Sequence, residues 1–192
     1  MNAQRIERAR RADLPELARV AQTVHAHSFA DLLSPAALRR DIEGPLSAWH
    51  LRMQARSDLF LVARRKGVML GLAQVGVCDT PAEDLWLPCM LSPGALELRR
   101  IYVLPTAQGQ GIGSALLDAA IEVAGQAGAD MLLDVWAGNT SAQRLYARAG
   151  FVFCGNRMLP PDTRAHRRGA SLDLIMIRRH RDRIARPAKA LD

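Results

Sequence analysis

No run of apolar residues in this chain approaches the ~18 needed to cross a bilayer, and residues 1–11 alternate polar and basic side chains without the apolar core of an export signal. These absences exclude a membrane-spanning helix and predict a soluble, cytoplasmic protein with no membrane partner. Cysteine is scarce. Cys78, Cys89 and Cys154 are odd in number, scattered and never in C-x-x-C spacing, so they read as reduced thiols used as small apolar residues, in a reducing compartment. Cys154 sits in an apolar run with no base near it in sequence, which makes it structural rather than nucleophilic. Histidine is also thin. His25 and His27 stand two apart on a predicted helix and face different directions, so no metal site is expected. Lysine is nearly missing, since Lys66 and Lys189 are the only two of 26 basic residues that are not arginine. So broad a bias reads as composition as readily as phosphate binding.

What is present suffices for one core: 49% of the 192 residues are hydrophobic, and the chain needs neither disulfides nor metal to fold. The formal charge of +7 raises the question of nucleic acid, and its location answers it. Residues 157–192 carry ten Arg or Lys against four acids, which leaves 16 against 15 in residues 1–156. No aromatic residue interleaves the basic end to stack bases, so it reads as solvated, and nucleic acid is not expected as a partner. Residues 1–180 are expected to form a single domain and 181–192 a flexible basic tail.

Turn signals and apolar periodicity give alternating elements. A short strand in residues 4–9 leads into a helix over 14–24, opened by Asp13-Leu14-Pro15 as an acidic cap with proline in the first turn. Ser34-Pro35 starts a second helix that runs through Leu38 and Ile42, is interrupted at Gly44-Pro45 and resumes towards Met53. Residues 59–64 and 68–77 are β-rich and separated by Arg65-Lys66-Gly67, a hairpin. Residues 79–94, with three prolines and a glycine, read as a long loop. A strand over 96–103, a helix over 113–127, a strand over 131–135, a helix over 141–148 and strands near 151–158 and 172–177 complete the chain. Strands joined partly by hairpins and partly by helices predict an α/β (α+β) mixed sheet.

Two features of this scaffold carry chemistry. In residues 96–103 the apolar positions Leu98, Ile101 and Val103 change phase between Arg99 and Arg100, as at a β-bulge. Such a strand frees backbone groups for an extended ligand and bends away from its neighbour. Leu104-Pro105 then ends the strand, and Gln108-Gly109-Gln110-Gly111-Ile112-Gly113 opens an amphipathic helix. Glycines let amides approach a ligand, and the helix N-terminus adds unsatisfied N–H groups and a positive dipole end, which suits a pyrophosphate. A P-loop is excluded because no lysine precedes Ser114. A dinucleotide fingerprint starting at Gly109 is weakened by Ser114 where a third glycine should stand, although Asp134 could mimic the acidic residue expected further on. The pattern Gln-x-x-Gly-x-Gly is met in full by Gln108, Gly111 and Gly113.

That loop resembles the acetyl-CoA-binding motif of the GNAT superfamily of N-acetyltransferases, and Leu133-Asp134-Val135-Trp136 followed by Asn139, Ala142, Leu145, Tyr146 and Gly150-Phe151 resembles its second motif. The similarity is clearest over residues 96–153. It implies a central, mostly antiparallel sheet of six to seven strands, splayed at the CoA cleft, with about four helices. It also implies an enzyme that moves the acetyl group of acetyl-CoA, a co-substrate, to a primary amine by direct transfer in a ternary complex. On this resemblance the CoA contacts are Ile101, Tyr102, Val103, Gln108, Gly109, Gln110, Gly111, Ile112, Gly113, Ser114, Asn139, Ala142 and Tyr146. Glu97 would be the general base, directly or through a water, and the Ile101 or Val103 amide would polarise the thioester carbonyl. Tyr146 would return a proton to the CoA thiolate; its bland alternative is a packed core aromatic. Asn139 would receive pantetheine or orient its helix; its bland alternative is a helix cap.

The acceptor is the least determined part. In the family fold its cleft is lined by the connection between the first two helices, here residues 24–35 with His25, His27 and Phe29. The loop between the last two strands, here 159–170 with Arg164, His166, Arg167 and Arg168, lines it as well. A small-molecule or peptide amine fits either, Asp79, Glu83 and Asp84 would suit a cationic amine, and a second copy of the chain stays open as a partner. Two other classes remain: a non-catalytic acetyl-CoA-binding module and a dinucleotide-dependent oxidoreductase.

Overall fold

A computed structural model describes residues 4–31, 33–78, 91–158 and 172–180. Most of the expected 79–94 loop, the 159–170 loop, Cys89 and the 181–192 tail lie outside the described residues. Seven strands form one mixed sheet: β1 (Arg5–Arg8), β2 (Leu59–Arg65), β3 (Val68–Val77), β4 (Leu96–Val103), β5 (Met131–Trp136), β6 (Val152–Met158) and β7 (Leu172–Arg178), in the order β1-β2-β3-β4-β5-β7-β6. All neighbouring pairs are antiparallel except β4 and β5. Among the described residues there are five α-helices, α1 (Leu14–Phe29), α2 (Pro35–Glu43), α3 (Ala48–Gln54), α4 (Ile112–Gln126) and α5 (Thr140–Arg148). This is one more than the expected four, because the interruption at Gly44-Pro45 divides the second helix. Ser34 and Ser47 cap the two pieces through their side-chain oxygens, on the amides of Ala37 and His50.

The two faces of the sheet bury different cores. Leu17, Val20 and Val24 of α1 pack with Leu51, Phe60, Val62, Met69 and Leu72 on one face. On the other, Leu116, Leu117 and Ala120 of α4 meet Val75, Leu98, Met131, Leu133 and Tyr146. Each large apolar side chain so buried contributes about 1.5–3 kcal/mol relative to exposure. At the N-terminal end of α1, Asp13 departs from the expected cap: its carboxylate does not bond the helix N-terminus. It accepts from the Arg10 amide at 2.7 Å and from Arg64 at 2.8 Å. Arg64 also holds Glu16 at 2.8 Å and Glu7 at 3.5 Å, so the carboxylate is committed to tying β2 to the start of α1.

The β4 irregularity positions the site. Gln74 of β3 pairs with Arg100 and Val75 with Leu98, leaving Arg99 as the extra residue of a bulge, where the sequence places it. On its other edge β4 pairs with β5 only at Leu96 with Met131 and Glu97 with Leu132. Beyond Glu97 the strands part, and the sheet opens into a V.

Candidate active site

The opened seam forms two overlapping clefts of ≈ 440 Å³ and ≈ 580 Å³. Both are walled by Ile101 and Tyr102 of β4, Asn139, Ala142 and Tyr146 of the α5 region, Gln108, and Ser28 and Phe29 at the end of α1. The larger continues onto Gly109, Gly111, Gly113 and Ser114. The smaller runs past Arg99, Arg100, Asp134, Trp136 and Gly138.

The glycine-loop end of the larger cleft is built by backbone. Gly109 and Gly111 adopt left-handed φ of 73° and 78°, and a Cβ on either would meet nothing within 4 Å. Gly111 is the N-cap of α4 and offers no side chain, while the first intrahelical bond runs from the Ala115 amide to Gly111 O at 3.0 Å. The amides of Ile112, Gly113 and Ser114 therefore face off the helix end without a backbone acceptor among the described residues. Gln108 donates its side-chain amide to Val103 O at 3.1 Å, which fastens the loop to β4. Gln110 points elsewhere, bonding Thr106 O and accepting from Arg65 at 2.8 Å, and the Ile112 side chain is buried in the core. Neither residue lines the larger cleft.

Of the expected catalytic pair, Tyr146 faces the cleft and Glu97 does not line it. Tyr146 is 6% exposed and packs on Phe151 with ring centroids 6.0 Å apart. Burial, helped by the nearby Tyr102 phenol, raises its pKa well above the ordinary phenol value, so the hydroxyl holds its proton at neutral pH. Glu97 lies at the closed end of the seam, its carboxylate 3.3 Å from Arg99 Nη1. Asn139 caps α5 by accepting from the Ala142 amide at 3.1 Å while also lining the cleft. Asp134 is held by Arg157 at the cleft wall.

The α1 side carries polar groups that sequence reasoning did not assemble. His25 bonds Asp41 of α2 at 2.9 Å through Nε2 and approaches the Tyr102 hydroxyl at 3.4 Å through Nδ1. Arg99 pairs with Asp58 at 3.1 Å. Gln74, fully buried, donates to Asp58 at 2.6 Å and to Gln54 at 3.3 Å. Gln74 was visible as the lone polar residue among the inner positions of β3; the carboxylates were not, since Asp41 and Asp58 sit in ordinary polar stretches. Among the described residues, no group of three or more His, Cys, Asp or Glu is arranged to hold a metal, and no helix is long and apolar enough to cross a membrane.

A family model described as the acetyltransferase (GNAT) family matches residues 26–151. The uncharacterized N-acetyltransferase in the pepI 3'region of Lactobacillus delbrueckii subsp. lactis is 26% identical over 155 residues, covering 79% of this chain and 86% of that one. Mycothiol acetyltransferase of Mycobacterium avium (strain 104) is 32% identical over 159 residues; the match covers 73% of this chain and only 50% of that longer relative. Among solved structures, PaiA N-acetyltransferase from Thermoplasma acidophilum in complex with coenzyme A superposes with a TM-score of 0.70 at 20% identity, covering 93% of this chain and 99% of its own.

Proposed function

The chain belongs to the acetyltransferase (GNAT) family, and from that premise we propose that it transfers the acetyl group of acetyl-CoA to a primary amine by direct attack within the β4–β5 seam. The observation that carries this reading is the continuity of the seam with an uncapped helix N-terminus. The glycine loop and the amides of residues 109–114 bind the pyrophosphate, where a side chain would intrude. The edge of β4 that has parted from β5, at Ile101, Tyr102 and Val103, receives pantetheine much as it would receive another strand. Asn139 and Ala142 close the opposite wall.

In the transfer step the amine nitrogen bonds to the acetyl carbon, the carbon–sulfur bond breaks, and one proton leaves nitrogen while one returns to sulfur. An amine of lysine-like pKa ~10.4 costs roughly 4–5 kcal/mol to deprotonate at pH 7, so a base accelerates the reaction. Glu97 takes that proton through a water, and the Ile101 or Val103 amide stabilises the oxyanion. Tyr146, protonated and facing the cleft, supplies the proton to the thiolate. A second proton route is favoured by one observation: Tyr102 faces the cleft and its hydroxyl approaches His25, which Asp41 orients. His25→Asn alongside Glu97→Gln decides which route the amine proton takes. The binding half of the proposal is tested by thermal unfolding with CoA and with NAD: CoA alone should raise Tm, and a shift with NAD alone would return the loop to a dinucleotide enzyme.

A further inference from the structure

We propose that Arg100 anchors a carboxylate on the acceptor, so that the amine used here belongs to an amino acid or a similar carboxylate-bearing molecule; this rests on the acetyltransferase reading above. The bulge in β4 directs two successive arginines to the α3 side of the sheet, Arg99 towards Asp58 and Arg100 towards Gln54. Their circumstances differ. Arg99 is committed to Asp58 at 3.1 Å, Glu97 at 3.3 Å and Val77 O at 2.9 Å. The Arg100 guanidinium, with five N–H donors, makes one bond to described residues, to Gln54 Oε1 at 3.4 Å, an oxygen that also accepts from Gln74.

No carboxylate among the described residues lies within ion-pair distance of Arg100, and Arg100 lines the smaller cleft alongside Tyr102 and Phe29. The neighbouring acids are engaged elsewhere. Asp41 is bonded to His25, and Asp58 takes Arg99, Gln74 and Ser57. Burial lowers the pKa of Arg100 and Arg99 repels it, while Tyr102, Asp58 and Asp41 favour its charge through space; an arginine remains a cation at neutral pH regardless. A partly desolvated guanidinium that lines the cleft and keeps most of its donors uncommitted among the described residues is the complement of a planar carboxylate, which it can hold bidentately. The acids around it leave no surplus of positive charge, which suits a monoanion better than a phosphate dianion and tolerates an ammonium group on the same molecule.

The test is a set of matched acceptors: α-, β- and γ-amino acids, each paired with the alkylamine that lacks the carboxylate, assayed by CoA-thiol release. Wild type should prefer the carboxylate member of at least one pair by about 10- to 100-fold in kcat/KM, the range a charge-assisted hydrogen bond supplies. Arg100→Met should collapse that ratio towards one, mainly through KM, and Arg100→Lys should recover part of it. An unchanged CoA-induced Tm shift in both variants certifies their folding. A wild-type ratio at or below one in every pair, or a ratio that survives Arg100→Met, overturns the proposal. If no amine turns over, the transfer reading is what has failed. Calorimetric binding of the same amino acids to the CoA-loaded protein then decides the anchor: loss of binding in Arg100→Met sustains it, and no binding to wild type removes it.

Discussion

Substituting Gly111 separates the cost of bending the backbone from the cost of blocking a ligand. The residue has φ of 78°, and an added Cβ would meet nothing within 4 Å. Gly111→Leu therefore creates no clash at Cβ in the free protein and costs about 1–2 kcal/mol for a left-handed conformation. In a chain of this length each kcal/mol is about 2–4 °C, so the free variant should melt about 2–8 °C lower. CoA at 100 times Kd stabilises wild type by about 2.7 kcal/mol, or about 5–11 °C. A side chain in the space above the loop should cut that shift to about 1 °C or less. Gly128, at the far end of α4, is the control. Its φ is 63° and its Cβ would also meet nothing within 4 Å, so Gly128→Leu should show a similar backbone penalty with the CoA shift intact. Differential scanning fluorimetry with titrated CoA reads both. If Gly111→Leu folds and keeps the wild-type shift, the pyrophosphate does not sit on this loop.

Other perturbations probe chemistry and framework. Tyr146→Phe should lower kcat by about 100-fold or more while leaving CoA affinity within a few fold. Its Tm should barely change, since the hydroxyl has no hydrogen-bond partner among the described residues to strand; full activity would make Tyr146 a packing residue. Glu97→Gln should lose less activity at high pH, where the amine is already neutral, and an equal loss at every pH would remove Glu97 as base. Asp130, fully buried, would have its pKa raised by desolvation, but bonds from the His180 amide, Arg179 and the Ser92 amide outweigh this and lower it. A depressed carboxylate stabilises above its unfolded pKa and loses that contribution as pH falls through the folded value. Asp130→Asn should thus cost about 1.5–3 kcal/mol at neutral pH, with the gap to wild type narrowing on acidification below about pH 4; a gap independent of pH would refute the charge argument. Removing residues 181–192 should leave kcat/KM for a small amine and Tm unchanged. Cutting further, through His180 and Arg179, should destabilise the β7 end, and an inactive 1–180 chain would show that the tail packs on the domain.

The sheet, the β4 bulge and the glycine loop that opens α4 were legible because their signals are local. The phase change at Arg99-Arg100, the stop at Pro105 and the glycines before an apolar stripe all lie within a few residues, and β4 has the bounds its sequence gives it. Helix α1 outran its expected end at residue 24 because residues 25–29, His-Ala-His-Ser-Phe, carry little apolar periodicity; His25 is instead held by Asp41 on α2 and packs on Phe29. The polar wall of the smaller cleft was not legible for a related reason. Its pairs join residues far apart in sequence, such as His25 with Tyr102 and Arg99 with Asp58, and nothing in either partner's local pattern announces the other. Asp13 shows the same limit: its cap signature was sound, and Arg64, arriving from β2, claimed the carboxylate.

The central claim is that the seam between β4 and β5 catalyses acetyl transfer rather than merely holding CoA. Steady-state thiol release from acetyl-CoA, measured across an amine library with mass spectrometry of the products, tests it most directly. The expected result is amine-dependent release matched one for one by N-acetylated product, and abolished in Gly111→Leu. CoA binding at the loop with no amine-dependent release from any member of the library would contradict it and make the chain a non-catalytic acetyl-CoA-binding module.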